Sequence, residues 1–244
     1  GAIHPITQRV ALAQFAGGNL GTPLAQAVIE GDPGVVSADG IAVVEVSSFQ
    51  LERVAGFRPR ASILLNVTDD HLDRYPSFEA YAQAKGNAFR AQTEGDVAVV
   101  PHGDPLCLRL AVLGGGRVET IDGPLAGEGA ASVGLVERGG VPWIWDRVSE
   151  QGLALSELPL SGRHNVTNVC AAWAAVRSLG VDAKPFADVL RKFRGLPHRT
   201  VLVGTFGGVR YYDDSKGTNV GAAVTALLGL SEPRAVLIAG GRDK

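Results

Sequence analysis

The chain has 244 residues, 45% of them hydrophobic and 20% charged, with a formal net charge of −2. That balance is ordinary for a globular protein of one large or two modest domains. It offers no basic surface for nucleic acid or anionic lipid, and no apolar run approaches membrane-spanning length. Cys107 and Cys170 form neither a disulfide framework nor a zinc spacing. The first residues lack the charged and apolar regions of a signal peptide, so a reducing cytoplasm is expected. There is no methionine. The sequence is therefore expected to be part of a longer protein.

In chain order, Gly17-Gly18-Asn19-Leu20-Gly21-Thr22-Pro23 reads as a glycine-rich turn leading into a helix over 21–30. The apolar run in 41–46 reads as a buried parallel strand that ends in Glu45, followed by Val46-Ser47-Ser48-Phe49-Gln50-Leu51-Glu52. A second run, 61–66, leads into Asn66-Val67-Thr68-Asp69-Asp70-His71. A helix over 76–92 has Pro76 and Ser77 at its start and Glu79 in its first turn, and it carries Lys85. A strand is expected at 96–101, and residues 102–160 read as a small β-rich excursion at the sheet edge. An Ala-rich helix over 164–179, able to pack closely on a sheet, is followed by a helix over 183–193. Pro197 marks a boundary, so domains are expected at 1–195 and 196–244. The second part reads as strands 200–205, 207–212 and 235–240 with a helix over 217–229. Alternating strands and helices predict an α/β fold of parallel βαβ units.

The chemistry-bearing residues cluster where such strands end, and ligands bind at that rim in open α/β sheets. Each cluster also has a plain structural use. Glu45 reads as a metal ligand or as a solvated strand end, and the Ser47-Ser48 hydroxyls bind phosphate or, more commonly, cap the next helix. Asp69-Asp70-His71 reads as a ligand cluster or a polar turn. Lys85 is a surface lysine or a carbamylated one. The second role requires burial or positive charge to lower its pKa. Asn165 and Asn168 share a helix face and read an adenine edge or cap the helix. Asp213-Asp214-Ser215-Lys216-Gly217-Thr218 could grip ribose and phosphate, with His198 and Arg199 adding positive charge; the plain reading is ordinary turn chemistry.

Taken together, GGNLGTPL (17–24), EVSSFQLE (45–52), NVTDDHLDRYPSFEAYAQAK (66–85), GRHNVTNVCAA (162–172), GLPHR (195–199), DDSKGTN (213–219) and GGRDK (240–244) occur in the order seen in the Mur ligases. The chain resembles that family, the ATP-dependent amide ligases of peptidoglycan synthesis. The SSFQLE ending is similar to the D-glutamate-adding type. The resemblance implies a P-loop-type central parallel sheet domain followed by the start of a Rossmann-like C-terminal domain. It implies ATP and Mg²⁺ at two sites, with UDP-MurNAc-L-alanine and D-glutamate as substrates and an acyl phosphate as intermediate. By the same resemblance, Glu45 holds the Mg²⁺ that bridges the ATP phosphates, and His71 with carbamylated Lys85 holds the second. Asn19 and Ser47 fall among substrate-binding residues. Asn165 and Asn168 lie near adenine, Arg199, Asp214 and Lys216 bind ATP, and Thr218 and Lys244 face D-glutamate.

The chain departs from the family pattern in one major respect. No G-x-x-x-x-G-K-[ST] phosphate loop occurs, and Ile6-Thr7 runs directly towards Gly17-Gly18-Asn19. Tyr75 stands where histidine is frequent, and Gly217 where alanine is frequent. Two alternatives follow. One is a sister Mur or folylpolyglutamate-type ligase that adds another amino acid. The other is a non-catalytic, ligand-binding relative.

Overall fold

The computed structural model describes residues 14–127, 129–160 and 162–240. Strand β1 (Gln14–Gly18) pairs in parallel with β2 (Ile41–Glu45), with Gly18 opposite Glu45. Helices α1 (Leu24–Glu30) and α2 (Pro33–Val36) connect them, and α3 (Ser48–Leu51) follows. The main sheet has six strands in sequence order. They are β3 (Ala61–Ile63), β4 (Val97–Pro101), β5 (Arg117–Ile121), β6 (Val133–Arg138), β7 (Val141–Asp146) and β8 (Gln151–Ala154). Pairing is parallel from β3 to β6 and antiparallel from β6 to β8. Helices α4 (Phe78–Arg90) and α5 (Pro105–Ala111) separate β3, β4 and β5, and α6 (Arg163–Ser178) and α7 (Ala183–Leu190) follow the sheet. The chain then forms a hairpin of β9 (Val201–Phe206) and β10 (Val209–Asp213), followed by α8 (Val220–Leu228).

Strand β4 shows why the sheet takes helices on both faces. Its side chains alternate, and both sets are apolar. Val97 and Val99 join the core formed with Trp173 of α6 and Phe186 of α7, whereas Ala98 and Val100 join Ala82 and Phe89 of α4 and Leu110 of α5. A strand buried on both faces is continuously apolar, as the sequence shows. The alanines of α6 act as the sequence predicts: Ala171, Ala172, Ala174 and Ala175 are buried, so the helix lies close to the strands. The α4 start is also as expected. Ser77 is the N-cap, its Oγ accepts from Ala80 N at 3.2 Å, and Glu79 lies in the first turn.

Four expectations need correction. Strand β1 lies at 14–18, where no strand was expected, and its last two residues, Gly17 and Gly18, open what reads in the sequence as a turn. Residues 102–160 extend the main sheet by four strands and include α5, rather than forming a separate excursion. The strands at 201–206 and 209–213 are antiparallel partners, not members of parallel βα units. Gly207 and Gly208 both have positive φ (56° and 78°), and Gly139 and Gly140 between β6 and β7 repeat the pattern (60° and 76°). Two adjacent positive-φ residues make the tight turn whose twist matches an antiparallel pair, and glycine adopts them without steric cost. Finally, residues 235–240 are not a strand; Val236 and Ile238 are almost fully exposed. A β conformation is stabilised by a neighbouring strand, and none among the described residues pairs with this segment.

A charged cluster fastens α6 to the sheet. Arg177 Nε lies 2.9 Å from Asp146 Oδ2, and its Nη2 donates to Glu119; both carboxylates are buried. Asp146 is satisfied further by Ser149 Oγ at 2.6 Å and Val148 N at 3.0 Å. Arg177→Ala would strand two buried carboxylates, with an expected loss of about 3–5 kcal/mol. Trp173→Ala would leave a large cavity, at about the same cost. For a chain of this size each should lower the melting temperature by roughly 10 °C. Calorimetry of the two variants checks both values, and a shift within ~2 °C for either would contradict the role given to that residue.

Candidate functional site

The first half of the site forms where β1, β2 and β3 end. Glu45 is the last residue of β2 and is exposed. Asn19 N donates to Glu45 O at 2.8 Å, and Gly18 N donates to Thr22 O at 2.9 Å, so the glycine-rich turn folds directly onto the Glu45 backbone. Gly18 has a φ of +116°, and a β-carbon there would sit 2.3 Å from Glu45 O. The close approach of the two strand ends therefore requires glycine. The Asn19 backbone is thereby adjacent to Glu45. Ser47 has the structural use weighed for it. Its Oγ accepts from Gln50 N at 3.3 Å while Ser47 N donates to Gln50 Oε1 at 2.8 Å, a capping box for α3.

His71 and Lys85 meet beside this turn. His71 has a φ of 56°, a left-handed conformation that histidine tolerates better than branched residues. Its ring packs 4.9 Å from Phe49 and 6.1 Å edge-on from Tyr81. His71 N donates to Asp70 Oδ1 at 2.9 Å, and Nδ1 lies 3.6 Å from the same oxygen. A carboxylate beside one ring nitrogen orients the other as a metal donor. Lys85 Nζ sits 5.0 Å from the centre of the Tyr81 ring. Burial pushes the Lys85 amine below its ordinary range, while the charges of Asp70, Cys107 and Glu45 pull it part of the way back. The Tyr81 hydroxyl is pushed up to about 12 by burial, reinforced by Asp70 and Tyr75.

This donor set suits a divalent cation. The Glu45 and Asp70 charges act on one half-buried cation, the Lys85 ammonium, and His71 adjoins Asp70. Among the described residues no three His, Cys, Asp or Glu side chains converge as a metal cage. A third anionic ligand would have to come from Lys85 itself, as a carbamate.

The second half of the site is a cleft of 820 Å³ between the start of α6 and the β9–β10–α8 segment. Asn165, Asn168, Arg199 and Asp214, widely separated in sequence, all line it. Its volume and mixed walls suit a nucleotide-sized ligand. Asp214 Oδ1 accepts from Thr200 N at 2.8 Å and Thr200 Oγ1 at 3.1 Å, which fixes the carboxylate beside Arg199. Burial pushes His164 below the usual imidazole range, against the pull of Asp214. Lys216 does not line this cleft. Its backbone N donates to His198 O at 3.1 Å, and its side chain is exposed at the same turn. Asp213 is held at about 2 by the Ser215 backbone N–H and by His198, whose Nδ1 is 2.7 Å away. Thr218 is exposed directly before the N-cap of α8. Lys244 and the Ile6-Thr7 junction lie outside the described residues.

The sequence reading gave no role to Tyr81, His164 or Asn219. Tyr81 was legible, because it lies four residues before Lys85 on one helix face. His164 adjoins Asn165, but its burial depends on the C-terminal end of α8. A β-carbon at Gly229 would sit 2.9 Å from His164 Cε1, so glycine lets the helix close over the ring.

The Mur ligase middle domain family matches residues 35–176. The chain is 41% identical over 230 residues to a UDP-N-acetylmuramoylalanine–D-glutamate ligase of Geobacter metallireducens, covering 94% of this chain and 48% of that protein. It is 43% identical over 202 residues to the protein of the same name in Nitrosospira multiformis, covering 83% of this chain and 42% of that one. The chain thus spans about half the length of the curated relatives it matches. Among solved structures, MurF from Acinetobacter baumannii superposes with a TM-score of 0.69 at 20% identity, covering 94% of this chain and 51% of that one. A pseudomurein peptide ligase type C from Methanothermus fervidus gives 0.68 at 16%, covering 96% and 54%. These two structures share the fold, and the matched middle domain takes in Glu45, His71, Lys85, Asn165 and Asn168. By that match over more than half of its length, the chain belongs to the Mur ligase family.

Proposed function

We propose that this chain is the central part of an ATP-dependent ligase that joins D-glutamate to UDP-N-acetylmuramoyl-L-alanine in peptidoglycan synthesis. Residues 1–195 would form the ATP-binding domain and 196–244 the beginning of the C-terminal domain. The observation that carries the reading is the meeting of two clusters. One short segment touches both: Asp214 lines the cleft that Asn165, Asn168 and Arg199 also line, and Asn219 Nδ2 donates to Asp70 Oδ2 at 3.2 Å, next to His71. The D-glutamate specificity is taken from the UDP-N-acetylmuramoylalanine–D-glutamate ligases to which the chain is about 40% identical.

A carboxylate is a poor electrophile, and phosphorylation by ATP gives it a leaving group. Asn165 and Asn168 offer amide donors and acceptors to a purine edge. Asp214 is placed to accept from ribose hydroxyls, and Arg199 and Lys216 offer positive charge to phosphate. Thr218, with Lys244, would face the amino-acid substrate, and Asn19 the UDP-sugar. Mg²⁺ held by Glu45, and by His71 with a carbamylated Lys85, would offset the charge of crowded phosphate and carboxylate groups. Lys85 meets the requirement for carbamylation, because its burial favours the neutral amine that adds CO₂. The apolar Phe49 and Tyr75 rings stack 5.8 Å apart beside His71 and limit water at that side of the site.

The decisive experiment is phosphate release by the full-length protein with Mg-ATP and UDP-MurNAc-L-alanine, with and without D-glutamate. Release that requires both substrates supports the reading. Release with another amino acid would make it a sister ligase, and binding without release a non-catalytic relative. Lys85→Ala should lower kcat by roughly 10²–10³-fold, with partial recovery in a short-chain carboxylate. Full activity without the additive would remove the carbamate from the mechanism. Asn165→Ala and Asn168→Ala should each raise KM for ATP by about tenfold, with kcat nearly unchanged. An unaltered KM in both variants would take them out of the nucleotide site.

A further inference from the structure

Helix α8 forms one wall of the cleft, yet none of its residues is buried. It cannot be held there by a core of its own. Its two ends instead touch the first part of the chain. The C-terminal end closes over His164 through Gly229. At the N-terminal end Asn219 makes two opposite hydrogen bonds with one carboxamide. Oδ1 accepts from Ala222 N at 2.8 Å and caps α8, while Nδ2 donates to Asp70 Oδ2 at 3.2 Å. The contact spans 149 residues of sequence and lands on the carboxylate that also receives His71 N. Gly221, in the first turn of α8, lies so close to the same loop that a β-carbon there would be 3.4 Å from Thr68 Oγ1.

We propose that Asn219 is a positioning residue: a clasp whose carboxamide caps α8 and simultaneously ties it to Asp70, setting where the 213–219 turn sits over the His71–Lys85 cluster. Only a short side chain with both a donor and an acceptor can do this. Aspartate caps helices as well as asparagine does but has no donor for Asp70, and serine, which caps equally well, has one oxygen on a shorter side chain in place of the two separate atoms that asparagine uses here. Thr218 directly precedes the clasp, so its distance from Lys85 is fixed by the same bond. The consequence for amino-acid binding rests on the ligase reading; the docking of α8 does not.

The test therefore measures docking without turnover. In the full-length protein, Thr68→Cys and Gly221→Cys form a reporter pair, because the close approach of those positions suits a disulfide. Cys107 and Cys170 of this chain are buried, and any cysteine elsewhere in the full-length protein is first replaced by serine. The rate of oxidative crosslinking reports the docked population. Adding Asn219→Asp keeps the cap but faces Asp70 with a like charge, and should slow crosslinking by about tenfold. Adding Asp70→Asn to that variant restores one donor and one acceptor, and should return the rate to within about twofold of the parent. Asn219→Ser, which keeps the cap without added charge, should also slow the reaction. A parental rate in Asn219→Asp, no recovery in the double variant, or no crosslink in the reporter pair itself would each overturn the proposal. If the ligase assay succeeds, Asn219→Asp should raise KM for the amino acid more than it lowers kcat. A purely structural defect would instead lower the melting temperature and the active fraction together.

Discussion

The organisation of this protein rests on a parallel sheet covered by helices on both faces. Such a sheet has no wet side. Val97 and Val99 point into one apolar layer and Ala98 and Val100 into the other, so no polar side chain can project from the middle of β4 without desolvation. Polar chemistry is thereby driven to the carboxyl ends of the strands, where the backbone leaves the sheet and side chains regain water. The Asp69–His71 turn follows β3 for this reason, and Glu45 closes β2, which pairs with β1 in a separate two-stranded sheet. Charged groups that do lie inside are paired with opposite charge, as where Arg177 meets Glu119 and Asp146.

At that rim the electrostatics are arranged around one half-buried lysine. Burial disfavours its charge, whereas the neighbouring carboxylates and the Tyr81 ring favour it. The balance leaves an amine that is easier to deprotonate than a surface lysine and that stands in a place attractive to cations. Under the proposed ligase reading both properties have a use: a neutral amine can become a ligand, and a cation can take over the charge compensation.

The cleft depends on contacts of a different kind. Helix α8 is held at its edges, by Asn219 on Asp70 and by Gly229 on His164, with no buried side chain of its own. Directional contacts of this sort are weaker than core packing and can be made and broken without disturbing the main sheet. A cleft walled by such an element can open and close more readily than one whose wall is locked into the core.

Much of this was legible in the amino-acid sequence. The strands ending in Glu45 and Asp69-Asp70-His71, the α4 cap at Ser77 and the close-packing alanines of α6 follow from local rules of periodicity, capping and size, which need no knowledge of neighbours. The Gly207-Gly208 turn was missed, because both glycines fall within the strand expected over 207–212 and parallel units were expected where the pair makes an antiparallel hairpin. Other features had no local signal. Strand β1 exists because β2 pairs with it, and 235–240 is no strand because none of the described residues pairs with it. Asn165 and Asp214 share a cleft, and Asn219 reaches Asp70, through contacts that cross the length of the chain. Local sequence determined which residues end strands and cap helices, because those preferences are properties of a few consecutive side chains. Only the tertiary structure decided which of those ends face one another and how deeply Lys85 is buried, because pairing and desolvation are set by distant parts of the chain.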